Sequence, residues 1–495
     1  VQGPESIPEP IAGVPAPAAL EPILGEPIPA EPPPATSGQR PRTLWHNRDF
    51  LLLWSGQTVS EMGSAVTQLA LPLTAVVVLR ASTLQVGLLT AASTLAFALI
   101  ALPAGALVDR RAKRSVMIWC DVARLLIIGS VPLAAVWHLL TLGQLYAVAI
   151  LAGVCTVFFD VSYQSFLPAV VSREDLVDGN GKLGATQSFA QVIGPGLGGG
   201  LVGLAGAAGA MTADAISYAI SVASLLAIRG REATPERPAG DQRLRTEIAE
   251  GLLFVLRDPI LRKIVACTGT ANLFGAMASA LEIIFLVRGL HVRPADTGLL
   301  IAVASLGGVA GGVLSGRLSR RIGSARIIWV SMLVIGLPGF LVPLAEPGWS
   351  IIAFPIGMAF FLFGAVVYNV AQVSYRQAIC PPRLLGRMNA AVRWVVWGTL
   401  PLGGVLGGAF GTAFGVRATL WIGFAGTWAA GWWVFFSPLR RMRDIPQDPQ
   451  DPQAGQDPPA QQDLRESEDH RAPGRGVPGH SGGEPPNGAG AQFGD

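Results

Sequence analysis

Twelve stretches of about 20 apolar residues follow one another along this chain, at roughly 50–79, 84–108, 115–137, 142–164, 180–204, 207–228, 260–287, 295–316, 325–345, 350–375, 385–412 and 414–436. A helix of that length crosses about 30 Å of hydrocarbon. Only 14% of the 495 residues are charged, where a soluble domain carries about 25%. A chain with this pattern cannot hide its apolar surface in a soluble core. The expected fold class is an all-α integral membrane protein of twelve transmembrane helices. Two breaks are marked by glycine rather than by charge: 204–209 between the fifth and sixth segments, and 411–415 between the last two.

The few charges are unevenly placed. If the N-terminus lies inside, the inner flanks hold Arg40, Arg42, Arg48, Arg110, Arg111, Lys113, Arg114, Arg173, Lys182 and a cluster from Arg229 to Lys263. Further along they hold Arg317, Arg320, Arg321, Arg326, Arg376, Arg383, Arg387, Arg440, Arg441 and Arg443. The outer flanks hold only Arg80, Arg288, Arg293 and Arg417. Basic residues favour the cytoplasmic side, so both termini are expected there.

The expected organisation has five parts. Residues 1–43 and 438–495 are Pro-rich tails unable to build a packed core. Residues 44–229 and 260–437 are two six-helix bundles, and 230–259 is a cytoplasmic linker. Within the linker, Ile248 to Leu256 is amphipathic and suits a membrane face. Residues 1–43 hold no apolar stretch, so the first apolar segment is expected to act as the insertion signal.

The connection between the second and third segments packs five charges into six residues, Asp109 to Arg114. A like-shaped stretch recurs 211 positions later. Gly105, Asp109, Arg110 and Ala112 align with Gly316, Arg320, Arg321 and Gly323. Asn180 precedes Gly194-Pro195 in the fifth segment; Asn389 precedes Gly398 and Pro401 in the eleventh. Parallel six-helix repeats are a transporter arrangement, so the two bundles are expected to be pseudo-symmetric.

The run Phe166-Leu167-Pro168-Ala169 to Asn180, then Gly194-Pro195-Gly196-Leu197-Gly198-Gly199 and Asp214-Ala215-Ile216-Ser217-Tyr218, joins Gly105 to Arg114 in a recognisable succession. Over about residues 44–437 the chain resembles the major facilitator superfamily, most closely the branch of enterobactin exporters and macrolide-type efflux proteins. The resemblance implies a secondary transporter working by alternating access, usually by export. It implies that the 105–114 loop latches the two halves on the cytoplasmic side in one state. The chain departs from the family at Ala112, where glycine is usual, and at Arg320, which stands where the first half has Asp109.

Charges inside apolar segments cost about 2.5–3.5 kcal/mol on insertion scales and mark candidate functional residues. Glu61 lies 11 residues past Phe50, about 17 Å along a helix, with Gln57, Ser60, Ser64 and Gln68 as a polar stripe. It is a candidate for proton or substrate coupling, or a structural acid. Asp121 and Arg124, three apart, are expected to satisfy one another. Asp160 is a candidate partner for Arg124 or Arg110. Arg393 is expected to be buried and to face Asp109. With Gly105, Lys113, Arg114, Arg320 and Arg321, these form the expected gate, although the basic residues equally serve as topology signals. Asp214 and Glu282 are expected toward an outer vestibule or at the headgroups. Gln187, Gln191, Asn272, Tyr368, Asn369 and Gln372 are candidate cavity residues. Gly194, Gly198, Gly199, Gly403 and Gly404 suit close helix packing, and Pro195 and Pro401 suit kinks. Six tryptophans, Trp394, Trp397, Trp421, Trp428, Trp432 and Trp433, are expected as interfacial anchors.

No phosphate loop, His-Glu-x-x-His or Gly-x-Ser-x-Gly occurs, and the four cysteines and five histidines are scattered. The expectation is therefore no enzyme, no cofactor and no metal. Partners would be a small-molecule substrate, protons and membrane lipids, with no nucleic acid, for a monomer. The leading function is proton-coupled export of a small amphipathic compound such as a drug, antibiotic or siderophore. Nutrient uptake by the same fold is the alternative. A sensor or scaffold acting through its tails is the third, and the tails carry no recognition motif.

Overall fold

Asn47 opens the first membrane helix by accepting from the amides of Asp49 and Phe50, both at 3.1 Å. This cap satisfies donors that the helix itself cannot pair. The structure is a computed structural model, and it describes residues 44–108, 111–171, 175–229 and 244–445. Asp109, Arg110 and the expected tail 1–43 lie outside the described residues.

Twelve helical segments run through the described chain. They are α1 (Arg48–Val78), α2 (Thr83–Val108), α3 (Lys113–Val136), α4 (Leu142–Val170), α5 (176–205), α6 (207–227), α7 (Leu261–Gly289), α8 (Pro294–Ile322), α9 (Arg326–Leu341), α10 (Ala353–Ile379), α11 (Pro382–Ala413) and α12 (Val416–Phe435). The glycine breaks are where the sequence puts them. Gly206 (φ 75°) separates α5 from α6, and Gly415 (φ 87°) separates α11 from α12. Both sit in left-handed backbone that favours glycine. The amphipathic linker piece is a helix, Leu244–Arg257, that packs against the start of α11, where Glu250 pairs with Arg387.

Duplication is visible in the backbone. α1 and α7 each end in a π-turn, Thr74–Val78 and Phe285–Gly289, 211 positions apart. Arg80 and His291, also 211 apart, both take left-handed φ (50° and 57°). α2 and α8 begin at Thr83 and Pro294, and α4 and α10 at Leu142 and Ala353, at the same offset. Less regular is α9, which passes through a π-turn (Ser331–Ile335) and a 3-10 turn (Leu337–Leu341) around Gly336 and Pro338.

Two seams join the halves. A Cβ on Gly87 of α2 would lie 2.5 Å from the Gly408 Cα and 2.6 Å from the Gly404 carbonyl of α11. One on Gly298 of α8 would lie 2.1 Å from the Pro195 carbonyl and 2.7 Å from the Gly199 Cα of α5. Backbone therefore touches backbone. Gly87 and Gly298 are themselves 211 apart. Eighteen residues beyond each, five helical turns and about 27 Å along the same face, stand Gly105 and Gly316. A Cβ on Gly105 would meet no described atom of a neighbouring element within 4 Å; one on Gly316 would meet, among the described residues, the Arg320 guanidinium of its own helix at 3.7 Å. The halves are closed at one end and parted at the end that carries Arg111, Lys113, Arg320 and Arg321.

The chain after α12 differs from expectation at its start. Residues 438–445 are not a loose tail. Pro438–Arg441 forms a 3-10 turn, the Arg443 carbonyl accepts from the amides of Ala325 and Arg326 (3.0 and 3.2 Å), and Asp444 accepts from Ser324 N (2.9 Å). The physical reason is the unpaired amides at the start of α9, which this segment satisfies. Residues 446–495 lie outside the described residues.

Candidate functional site

The polar centre of the N-terminal half is built around Arg124 on α3. Its guanidinium pairs with Asp121 one turn away. It lies between two aromatic faces, Phe159 of α4 at 4.4 Å and Tyr218 of α6 at 4.5 Å. Asp121 is fully buried and also accepts from Ser221 Oγ (2.7 Å). Removing a charge from water is expensive unless it is paired and hydrogen-bonded. The carboxylate, the hydroxyl and the two ring faces meet most of that requirement, and Arg124 Nε is left without a hydrogen-bond partner among the described residues. The expected mutual satisfaction of Asp121 and Arg124 is present.

Glu61 of α1 and Asp160 of α4 stand around this centre. Gln57 Nε2 donates to Glu61 Oε1 at 2.9 Å, one helical turn apart. The other side of the polar stripe turns elsewhere: Ser64 shares a 2.9 Å hydrogen bond with the Tyr218 hydroxyl, and Ser60 is buried. Asp160 makes no direct ion pair among the described residues. It lies within the electrostatic reach of Arg124, Glu61 and Arg393, the last on the other half.

Asp214 departs from expectation. It is fully buried beside Gly63, near the middle of α1, and lines no vestibule. Ser217 Oγ donates to its Oδ1 at 3.2 Å, while Oδ2 has no hydrogen-bond partner among the described residues. A Cβ at position 63 would come within 2.6 Å of that carboxylate, so glycine there is what admits the acid. Glu282 also departs. It lies near the closed end of α7, facing a cavity of about 10 Å³, room for one water, among Phe285, Val342, Phe354, Met358 and Phe424. Glu282 keeps the expected end of its helix and differs only in its surroundings; in both cases position along a helix does not say which face is covered, and α1 covers Asp214 while Phe285, Val342 and Phe354 surround Glu282.

The C-terminal half contributes a different surface. Tyr368 of α10 bonds Thr268 of α7 (2.7 Å), Gln372 Nε2 donates to Asn369 Oδ1 (3.0 Å), and Asn272 donates to the Val396 carbonyl (3.3 Å). Asn369 is exposed and Gln372 buried. Arg393 is exposed rather than buried, and stacks on Trp397 at 5.2 Å. Trp397 in turn meets Phe97 of α2 at 5.0 Å. It is a contact between halves and not a membrane anchor, because α11 forms the seam. Trp428 is likewise committed inside its half, donating to the Leu333 carbonyl at 3.0 Å. Gln187 and Gln191 are exposed, two turns and one turn before Pro195, on the α5 face that turns toward α8.

At the open end, Arg114 caps the last turn of α6, donating to the Leu225 and Leu226 carbonyls at 2.8 and 3.1 Å. A cation suits that helix end, and these two bonds tie Arg114 to its own half. Arg320 and Arg321 are exposed. The small residues pack as expected: Gly194 against Ala65, Gly198 against Val66, Gly403 against Leu273. Sequence reading did not single out Gly63, Phe97 or Tyr163, and took Arg376 only as an inner-flank charge. Tyr163 Oη and Arg376 Nε are buried without hydrogen-bond partners among the described residues. For Arg376, one arginine interrupting the apolar end of α10 was the available signal.

A family model described as transmembrane secretion effector matches residues 43–468. The chain belongs to that family, a branch of the major facilitator superfamily. It is a multi-pass membrane transporter and not an enzyme. The multidrug efflux pump Tap of Mycolicibacterium fortuitum is 26% identical over 381 residues, 75% of this chain and 90% of that protein. The enterobactin exporter EntS of Citrobacter koseri is 28% identical over 228 residues, 45% of this chain and 51% of that one. Among solved structures, a bacterial homologue of the iron transporter ferroportin superposes with a TM-score of 0.65 at 15% identity, covering 78% of this chain and 98% of that one. The last likeness shows the fold, and the transporter's two-bundle architecture follows it.

Proposed function

We propose that this transporter exports a small amphipathic compound from the cytoplasm, driven by protons, by alternating access between its two bundles. The basic end is cytoplasmic on the positive-inside rule, so the parted state is open to the cytoplasm, and the membrane is the bacterial inner membrane. The observation that carries the reading is the placement of Glu61. It is an acid at mid-helix, held by Gln57, within the field of Arg124, on the α1 face that shares Asp160 with Arg393 of the other half. A proton taken up there alters the balance of charge between the bundles, which is what coupling needs.

Substrate chemistry follows from the surroundings. One side offers the carboxyl groups of Glu61 and Asp160. The other offers the Phe97–Trp397 platform with Arg393 above it. Aromatic faces with a few charges suit an amphipathic, ring-bearing compound better than a sugar. The relatives named as a multidrug efflux pump and an enterobactin exporter support export over uptake.

Inverted membrane vesicles test this directly. Accumulation of fluorescent amphipathic compounds is measured with and without an imposed proton gradient. Gradient-driven uptake into such vesicles is expected for the wild type and its loss for Glu61→Gln at equal protein level. Unchanged gradient-driven transport in the variant removes the coupling role from Glu61.

A further inference from the structure

Arg288 stands in the π-turn that ends α7, at the closed end. Its guanidinium crosses to the other half and donates to two backbone carbonyls, Val76 at 3.1 Å and Ala81 at 2.8 Å. Those carbonyls belong to the end of α1 and the turn into α2. The π-turn there already uses the neighbouring acceptors: Leu79 N bonds the Thr74 carbonyl and Ala81 N bonds the Ala75 carbonyl. The last carbonyls of a helix lack partners within it, and Val76 is supplied from the opposite bundle.

The repeat makes this contact one-sided. The position 211 residues before Arg288 is Val77, which has no donor to return. The equivalent turn of the second half, Phe285–Gly289, is therefore not capped from the first half in this way. Arg288 thus ties α7 to the end of α1, by bonds that separation of the two helices must break.

We infer that Arg288 is a positioning residue for transport, a latch that stabilises the closed end and so sets the ratio between the two access states. The inference rests on the alternating-access reading. It is independent of proton coupling, substrate and direction. Hydrogen bonds to a charged group contribute enough that losing this pair shifts that ratio by about tenfold or more.

The test is a distance measurement on the full chain in lipid nanodiscs, without substrate or gradient. Spin labels are placed at Leu139 and Trp349, exposed turn residues at the closed end, one on each half. Cys120, Cys155, Cys267 and Cys380 are first replaced by alanine. In the wild type the short distance is expected to dominate. Arg288→Ala is expected to raise the long-to-short ratio about tenfold. Arg293→Ala is the control: it removes a cation at the same end whose partner is its own neighbour Asp296, and it is expected to leave the distribution unchanged. A wild-type distribution in Arg288→Ala overturns the latch. An equal shift in both variants overturns it too, since charge at that end would then suffice. If the alanine variant does not fold, Arg288→Gln is judged by the same criteria.

Discussion

Gly298→Ala adds one methyl at the tightest point of the α5–α8 seam. The new Cβ would lie 2.1 Å from the Pro195 carbonyl, 2.7 Å from the Gly199 Cα and 2.8 Å from the Gly199 nitrogen. All three are backbone atoms, so no side chain can swing away. Contacts of Cβ below 3.0 Å are essentially never seen, so α8 and α5 must part by about 1 Å here. Overpacking of this kind costs about 1–3 kcal/mol, which is a shift of about 5- to 150-fold in an equilibrium constant. The cost falls on the state closed at this seam and spares one in which the seam is open. Gly105→Ala is the matched comparison, since a Cβ there would meet no described neighbour within 4 Å. A cysteine at Gln191, an exposed position on the α8-facing side of α5, reports access from the basic end. In a cysteine-free background, its labelling by a membrane-impermeant maleimide in inverted vesicles is expected to fall for Gly298→Ala and to hold or rise for Gly105→Ala. Equal labelling of Gly298→Ala and wild type, with both folded, would refute the claim that this seam holds the observed state.

Two further outcomes follow from the N-terminal half. Asp121→Asn leaves Arg124 buried with only aromatic faces and neutral partners; breaking a buried pair costs about 3–5 kcal/mol, so thermal unfolding of the purified variant is expected at clearly lower temperature. A melting temperature within a degree of wild type would show that Phe159 and Tyr218 suffice to hold the guanidinium. Gly63→Ala is expected to destabilise by about 1–3 kcal/mol, because its methyl meets Ser217 Oγ at 2.2 Å and Asp214 Oδ1 at 2.6 Å; combining it with Ser217→Ala, which removes the nearest of these atoms, is expected to recover part of that cost in a double-mutant cycle.

The architecture was legible because membrane burial is written in composition. Twelve apolar stretches, two glycine breaks and a basic-loop repeat at offset 211 all reappear as helices, left-handed glycines and matched π-turns. Glu61, Asp121 and Arg124 were legible for the same reason, since a charge in an apolar stretch has to be accounted for. Arg393 was not, because an arginine in an apolar stretch reads as buried whichever face it takes, and here it is exposed over Trp397. Asp214 and Glu282 were misplaced for the same reason: hydropathy gives depth along a helix but not which face is covered. Gly63 was invisible, since its role depends on an acid 151 positions away on another helix. The loop acid Asp109 lies outside the described residues, so its proposed part in the latch rests on the family resemblance and on Gly105.

The spacing of those glycines carries the argument further. Gly87 and Gly105 share one face of α2; Gly298 and Gly316 share the equivalent face of α8. Each face therefore offers backbone-close docking at both of its ends. A rigid helix tilted against its partner can close only one end at a time, because closing the second requires opening the first. In the present state Gly87 and Gly298 are in contact while Gly105 and Gly316 are free. Two five-turn glycine spacings, placed 211 residues apart, supply both halves with the same choice. That supports reciprocal closure as a property of the duplicated helix faces, with the charged groups biasing which end is shut.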